Sequence, residues 1–297
     1  MIVFLNGNFV PESQAVVSVF DRSFLYGDGL FETMLIAGGT PFRWPNHLER
    51  LQCGASSLGI KLPFEPDLLR KFALKLLLKN QMPNALLRLT LSRGVGIRGY
   101  SPRGAVSPTL VMSLHPAPVL DAGLLSWNLI TASVRLPANE PLAQLKHCNK
   151  LPQILARARA DQAGVEEALL LNTDGFLVEG ASSNLFWLEQ ETVCTPPLNS
   201  GILPGVTRLV ALELCQKLGL KSREATISCD KLREAEGVFL SLSSFGIVQG
   251  ASLDGRPLRS SPLTGLLHRE YLDLVERETA APSAGTPPGV SAASNGK

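Results

Sequence analysis

Paired cysteines, histidine, excess charge of either sign and long apolar runs are all scarce in this 297-residue chain, and each scarcity removes a class of function. Basic and acidic residues nearly cancel, 28 against 26, and the basic ones are scattered. That argues against nucleic acid or an anionic membrane surface as the main partner. The five cysteines (Cys53, Cys148, Cys194, Cys215 and Cys229) are odd in number, widely spaced and form no CxxC. They read as reduced thiols of a cytoplasmic protein, and no metal site is expected. No apolar run approaches membrane-spanning length. The opening MIVFLNGNFV lacks a basic lead and already reads as a strand, so no signal peptide is expected. Four histidines without triad context, and Ser182-Ser183 outside any G-x-S-x-G, leave a serine hydrolase without support.

What is present is core material. The chain is 45% hydrophobic, enough for one large or two modest domains. VFLNGNFV and MLIAGGTPFRW carry Asn-Gly and Gly-Gly between apolar stretches, which signals hairpins. HLERLQCGASSLGI and DLLRKFALKLLLKN read as helices, the second stopping before Met82-Pro83. ALLRLTLSRG, TLVMSLHPA, LLSWNLITASV and GVFLSLSS read as strands, EALLLNTDGFLVEG as a hairpin, and residues 150–163 and GVTRLVALELCQKLGL as helices. Prolines and a glycine between the second and third of those strands mark a linker at 118–123. The reading is therefore mixed α+β in two domains: a small one over 1–117 and a larger one over 124–276. The final stretch, 277–297, has no apolar periodicity and is expected to be disordered.

Several segments carry chemistry in outline. Gly27-Asp28-Gly29 within DRSFLYGDGLFET reads first as a tight turn. Arg50 in HLERL, taken alone, is a surface charge. GILPGVTR enters a helix through Pro-Gly, leaving the Val206 and Thr207 amides free beside a hydroxyl; this is either an ordinary helix start or an anion cradle. Glu179 follows an apolar strand in VEGASSNLFW and either meets water or points into a cleft. The hydroxyls of SLSSFGIVQG could complete an anion site. LKHCNKLPQ holds two lysines, Lys146 and Lys150, at the entry to a helix. A lysine, a carboxylate, an arginine and an anion cradle are what pyridoxal phosphate requires, though spacing alone leaves this open.

Together these segments resemble the class IV (fold type IV) pyridoxal-phosphate enzymes, which include branched-chain aminotransferases, D-amino-acid aminotransferases and 4-amino-4-deoxychorismate lyases. DRSFLYGDGLFET resembles the family's D-R-x-x-x-x-G-D-G-x-x-E, HLERL its H-x-x-R-L, VEGASSNLF its [TV]-E-x-x-x-x-N-[LV]-F, and GILPGVTR its G-I-x-x-G-[IV]-T-R. The likeness spans roughly residues 1–275 in matching order. It implies a small N-terminal α/β domain, a larger domain with a β-barrel-like core, and pyridoxal 5'-phosphate as cofactor. Lys146 becomes the catalytic amine that carries the cofactor, with Lys150 left to the helix surface. Arg50, Val206, Thr207 and Ser243 are implied at the phosphate, and Glu179 at the pyridine nitrogen. Tyr26, Phe31, Arg98 and Tyr100 are implied at a small amino substrate bearing carboxylates. A homodimer is implied as well.

The reaction divides within the family. R-G-x-G-x-R-G-Y in LSRGVGIRGYSP, together with LKHCNK and NLFW, resembles the lyases, which release pyruvate and 4-aminobenzoate in folate biosynthesis. Arg98 and Tyr100 are then expected on a loop reaching over the cofactor. IVQG stands in place of the T-P-[VI] ending of the aminotransferases, and Phe31 in place of the tyrosine common in D-amino-acid aminotransferases. Glu32, common in aminotransferases, keeps branched-chain or D-amino-acid transamination as the alternative. A non-catalytic binding protein on this fold is the third reading, and retention of Lys146, Glu179 and Arg50 speaks against it.

Overall fold

The computed structural model describes residues 1–119 and 123–280, and these fold around two sheets. The first half runs β1 (Ile2–Leu5), β2 (Asn8–Pro11), α1 (Arg22–Tyr26), β3 (Gly29–Ala37), β4 (Thr40–Pro41), α2 (Trp44–Leu58), α3 (Pro66–Asn80), β5 (Ala85–Ser92) and β6 (Thr109–Pro116). Its six strands form an antiparallel sheet in the order β2-β1-β6-β5-β3-β4. Alternation along β3 sends Leu30, Glu32, Met34 and Ile36 toward α2 and α3, where Leu48, Leu51, Leu69 and Leu76 complete a buried core. Phe31, Thr33 and Leu35 take the opposite face. That face meets the second half, whose core Leu35 and Phe42 join.

The second half runs β7 (Ser126–Leu136), α4 (Leu151–Ala163), β8 (Glu167–Asn172), β9 (Leu177–Gly180), β10 (Asn184–Glu189), β11 (Thr192–Thr195), α5 (Val206–Lys217), β12 (Ser222–Glu224), α6 (Cys229–Glu234), β13 (Gly237–Leu242), β14 (Gly246–Leu253), β15 (Arg256–Pro257) and α7 (Pro262–Thr279). Six of these strands close on themselves. β10, β13, β14, β7, β8 and β9 pair in succession, and β9 returns to β10 through Glu179 opposite Asn184. Leu129, Leu169, Leu177, Leu185, Leu240 and Leu253, one from each strand of the ring, belong to one buried cluster that fills the barrel. Helices α5 and α7 cover β13 and β14, and beside them Phe186 of β10 stacks on Phe239 of β13 at 4.7 Å.

The fold is thus mixed α+β, as the order of elements implies, with a barrel in its second half, as the resemblance implies. The linker expected at 118–123 falls between β6 and β7, with 120–122 outside the described residues. The tail boundary needs correction: α7 continues to Thr279, whose side chain is buried, rather than ending before 277. The rest of that expected tail, 281–297, lies outside the described residues. Among the described residues no helix is long and apolar enough to cross a membrane.

The DRSFLYGDG segment is more than a tight turn. Asp21 caps α1 through the Ser23 amide and accepts from the hydroxyls of Ser92 and Thr109. Arg22, buried, donates from Nη1 to the carbonyls of Gly99 (2.9 Å) and Ser101 (3.1 Å), from Nη2 to that of Tyr100 (3.0 Å), and from Nε to Asp28. Burial alone would raise the Asp28 carboxyl, but hydrogen bonds and charge from Arg93 and Arg22 hold it below its ordinary value. The clasp is therefore fully present at neutral pH and weakens as pH falls through that lowered value. Arg22→Ala is expected to cost about 2–4 kcal/mol and to speed hydrogen exchange of the Gly99 amide, which donates to Tyr26 Oη at 3.1 Å. Arg103→Ala, at an exposed position of the same loop, should change neither denaturation midpoint nor exchange.

Candidate active site

A cavity of about 540 Å³ opens between the Phe31 face of the first sheet, the Glu179–Asn184 seam of the barrel and the N-terminus of α5. Lys146 enters it from a segment pinned as an extra strand: the Phe31 amide donates to Lys146 O and the Cys148 amide to Gly29 O, both at 2.9 Å. Its Nζ lies 4.7 Å from the centroid of the Phe31 ring. Burial first, then the nearby Arg50 charge, pull this amine down to about 8, with Glu32 and Glu179 opposing in part. A lysine so placed yields its neutral form near physiological pH. Lys150, expected on the helix surface, instead sits half-buried at the N-cap of α4 and lines the same cavity.

Arg50 is no surface charge. α2 presents His47 and Arg50 one turn apart, facing Glu32 on the covered side of β3. Arg50 donates to both Glu32 oxygens, at 2.8 and 2.6 Å, and His47 Nδ1 lies 2.7 Å from Oε2. Burial would raise the Glu32 carboxyl, yet Arg50 charge and hydrogen bonds from Arg50 and His47 bring it to about 2. Arg50 Nη1 also donates to Pro204 O at 2.8 Å, which leaves two guanidinium N–H groups beside the cavity.

At the barrel seam Glu179 Oε2 accepts the Leu203 amide at 3.0 Å. Burial pushes this carboxyl up to about 7, against the Leu203 hydrogen bond and the charges of Lys150 and Lys146. Beyond Leu203 the chain enters α5 through Gly205 with no side-chain cap, so the Val206 and Thr207 amides keep their donors for something else. Ser241, 2% exposed, lines the cavity with a hydroxyl that has no hydrogen-bond partner among the described residues. An uncapped helix start, an orphaned hydroxyl and free guanidinium donors together suit a phosphate, and a buried carboxylate held near 7 suits a protonated ring nitrogen.

Of the residues expected from sequence, Phe31, Arg50, Lys146, Glu179, Val206, Thr207 and Ser243 line this one cavity. Tyr26, Arg98 and Tyr100 do not. Their loop is drawn onto α1 by Arg22, and Tyr26 packs edge-on to Tyr100 at 5.7 Å while the Tyr100 side chain remains 87% exposed. The loop therefore does not reach over the cavity of its own chain. Sequence reasoning missed Glu32 as the anchor of Arg50, and Asn184; it held Ser241 only among the hydroxyls of SLSSFGIVQG and named Ser243 for the phosphate. It also missed Arg88, whose guanidinium lies 4.0 Å from the Phe31 centroid and has no hydrogen-bond partner among the described residues. The period of two along ALLRLTLS held that signal, since Arg88 shares a sheet face with Phe31 and Thr33.

The sequence matches the family model described as amino-transferase class IV over residues 29–253. The chain belongs to that family. A Methanocaldococcus jannaschii protein provisionally named a branched-chain-amino-acid aminotransferase is 36% identical over 92% of this chain and 96% of its own. The 4-amino-4-deoxychorismate lyase structure from Pseudomonas aeruginosa is 33% identical with a TM-score of 0.79, over 93% of this chain and 98% of that one. A T.th. branched-chain amino acid aminotransferase structure with pyridoxamine 5'-phosphate is 26% identical with a TM-score of 0.86, over 92% and 93%. The family depends on pyridoxal phosphate, and the donor set described above fits that group.

The raised Glu179 carboxyl has a measurable consequence. The folded, cofactor-free chain keeps a proton that the unfolded chain gives up between about 4.5 and 7, so stability falls as pH rises through that window. Glu179→Gln is expected to stabilise the cofactor-free protein by up to about 3 kcal/mol at pH 8 and hardly at all near pH 4.5. Thermal denaturation at both pH values tests this; equal effects at the two would mean Glu179 carries no buried charge.

Proposed function

We infer that this class IV enzyme is an aminodeoxychorismate lyase, converting 4-amino-4-deoxychorismate to 4-aminobenzoate and pyruvate in folate biosynthesis. Lys146 is the catalytic amine. Its neutral form takes the proton from the amine-bearing ring carbon, while pyruvate leaves the adjacent carbon as its enolate and collects a proton, so that the ring becomes aromatic. Bound pyridoxal phosphate would supply the electron sink that makes the first proton acidic. Glu179 keeps a proton on the pyridine nitrogen. Arg50, the Val206 and Thr207 amides and Ser243 hold the phosphate, with Ser241 added to that set.

The observation that carries the lyase reading is a pair of guanidiniums free for carboxylates. Arg88 stands on Phe31, which lines the cavity, with no hydrogen-bond partner among the described residues, and Arg98 is exposed at the tip of the clasped RGYSP loop. A chorismate-type substrate carries two carboxylates, whereas an ordinary amino acid needs one such contact. Because Arg98 lies away from its own chain's cavity, the reading includes a homodimer in which the loop serves the partner's site. Exposed Val19, Phe20, Phe24, Ile97 and Val106 on and around α1 and this loop offer an apolar surface for that contact. Five unpaired cysteines suit a cytoplasmic enzyme.

Transamination of branched-chain or D-amino acids is the second reading, favoured by the Glu32–Arg50 pair and by the aminotransferase relatives. Purified protein offered aminodeoxychorismate, or separately amino acids with 2-oxoglutarate, distinguishes the two by release of pyruvate with 4-aminobenzoate or by formation of glutamate. Lys146→Ala is expected to abolish either reaction. Arg98→Ala should lower kcat/KM for aminodeoxychorismate about tenfold to a hundredfold, with Arg98→Lys recovering part. Cofactor absorbance should stay intact in both Arg98 variants. Lyase kinetics indifferent to Arg98→Ala would remove the second carboxylate contact, whereas glutamate formed without release of pyruvate would make transamination the better reading.

A further inference from the structure

We propose that Asn184 is a positioning residue of the cofactor site, and that position 205 is a glycine because of it. Asn184 is buried at the barrel seam, opposite Glu179 on one side and Ser241 on the other. Its Nδ2 donates to Leu203 O at 2.9 Å, while the Leu203 amide donates to Glu179 and Pro204 O accepts from Arg50. These backbone groups make no backbone hydrogen bond among the described residues. Three side chains from three elements therefore set the path by which the chain enters α5.

Gly205 is the next residue on that path. Its φ of −67° and ψ of 138° are ordinary for any L-residue, so backbone conformation does not demand glycine. Space does. A Cβ there would collide with Asn184 Oδ1, and the nearest neighbour outside Asn184 is 3.4 Å away. The asparagine amide alone excludes a side chain. Val206 and Thr207 follow directly, so any shift of Gly205 moves the two amides that face the cavity. Asn184 thus acts through Leu203 and Gly205 on the anion cradle, while the same strap is tied to Glu179. The distance between cradle and carboxylate is held by one side chain, which lines the same cavity.

This rests on assigning the N-terminus of α5 to the cofactor phosphate, and the test separates the two claims. Asn184→Ala, Gly205→Ala and the double variant are compared with wild type for pyridoxal-phosphate affinity of the apoprotein and for competition by inorganic phosphate, which probes the cradle alone. Each single variant is expected to bind both ligands about tenfold more weakly or worse. The double variant should be no weaker than Asn184→Ala, because the added methyl now has room. Asn184→Ser replaces Asn184→Ala, with the same rescue expected, should the latter fail to fold. Gly205→Ala equally damaging with and without Asn184, or Asn184→Ala without effect on either ligand, would overturn the proposal. Thr207→Ala is the control: if it weakens binding while Asn184→Ala does not, only the role of Asn184 falls. If neither does, the phosphate assignment falls with it.

Discussion

The barrel closes on a single residue pair, and the site depends on that closure. Strand β9 rejoins β10 only where Glu179 faces Asn184, so the seam is short and both residues sit at its open end. A longer ladder would have filled this end with paired backbone. Instead two polar side chains are left over the edge of the barrel, and both spend hydrogen bonds on the strap that delivers α5. The carboxylate, the helix N-terminus and the gap between them thus follow from one topological fact.

Around that seam the protein assembles charges whose compensation is uneven. Glu32 is over-satisfied: two arginine donors and a histidine meet one buried carboxylate, and its acidity rises accordingly. Glu179 is under-satisfied: the Leu203 amide, two lysines that do not touch it and Gln153 fail to offset its burial, and its acidity falls. Lys146 is half-buried against the Phe31 ring with the Arg50 charge nearby, and its basicity falls. Opposite shifts in two carboxylates, Glu179 on the cavity wall and Glu32 behind it on the covered side of β3, mark a division of labour. Glu32 is a permanent anion that fixes Arg50; Glu179 and Lys146 are groups whose protons are free to move. A cofactor carrying an anionic phosphate and a basic ring nitrogen meets both needs.

Much of this is legible in the sequence, and the misses share a cause. Local patterns place the hairpins at Asn6-Gly7 and Gly38-Gly39, helices α2 to α5 and the lysine, carboxylate and cradle segments. What they do not carry is direction across space. Period-two alternation sets Arg88 on one face of its strand, but only the β3–β5 register shows that Phe31 is its neighbour. Lys150 resembles a helix-surface residue because the cavity wall opposite it comes from a barrel strand far along the chain. Asn184 is visible only as a motif letter, since its partner Gly205 lies in another motif. The loop of Arg98 and Tyr100 reads as a cover over its own chain's cavity, because nothing in its own residues reveals that Arg22 holds it elsewhere.

That last miss bears on how such motifs should be read. The D-R-x-x-x-x-G-D-G segment, residues 21–29, does not line the cavity; Phe31, two residues beyond it, does. Asp21, Arg22 and Asp28 instead form a buried polar cluster that gathers α1, β5 and three successive loop carbonyls. A guanidinium can do this because its planar fork reaches several acceptors at once, which a lysine could not. The cluster exposes Arg98 and Tyr100 while keeping their backbone still, so their side chains meet whatever approaches without first ordering a loop. Binding then costs less conformational entropy. The motif specifies support for the loop that carries Arg98 and Tyr100.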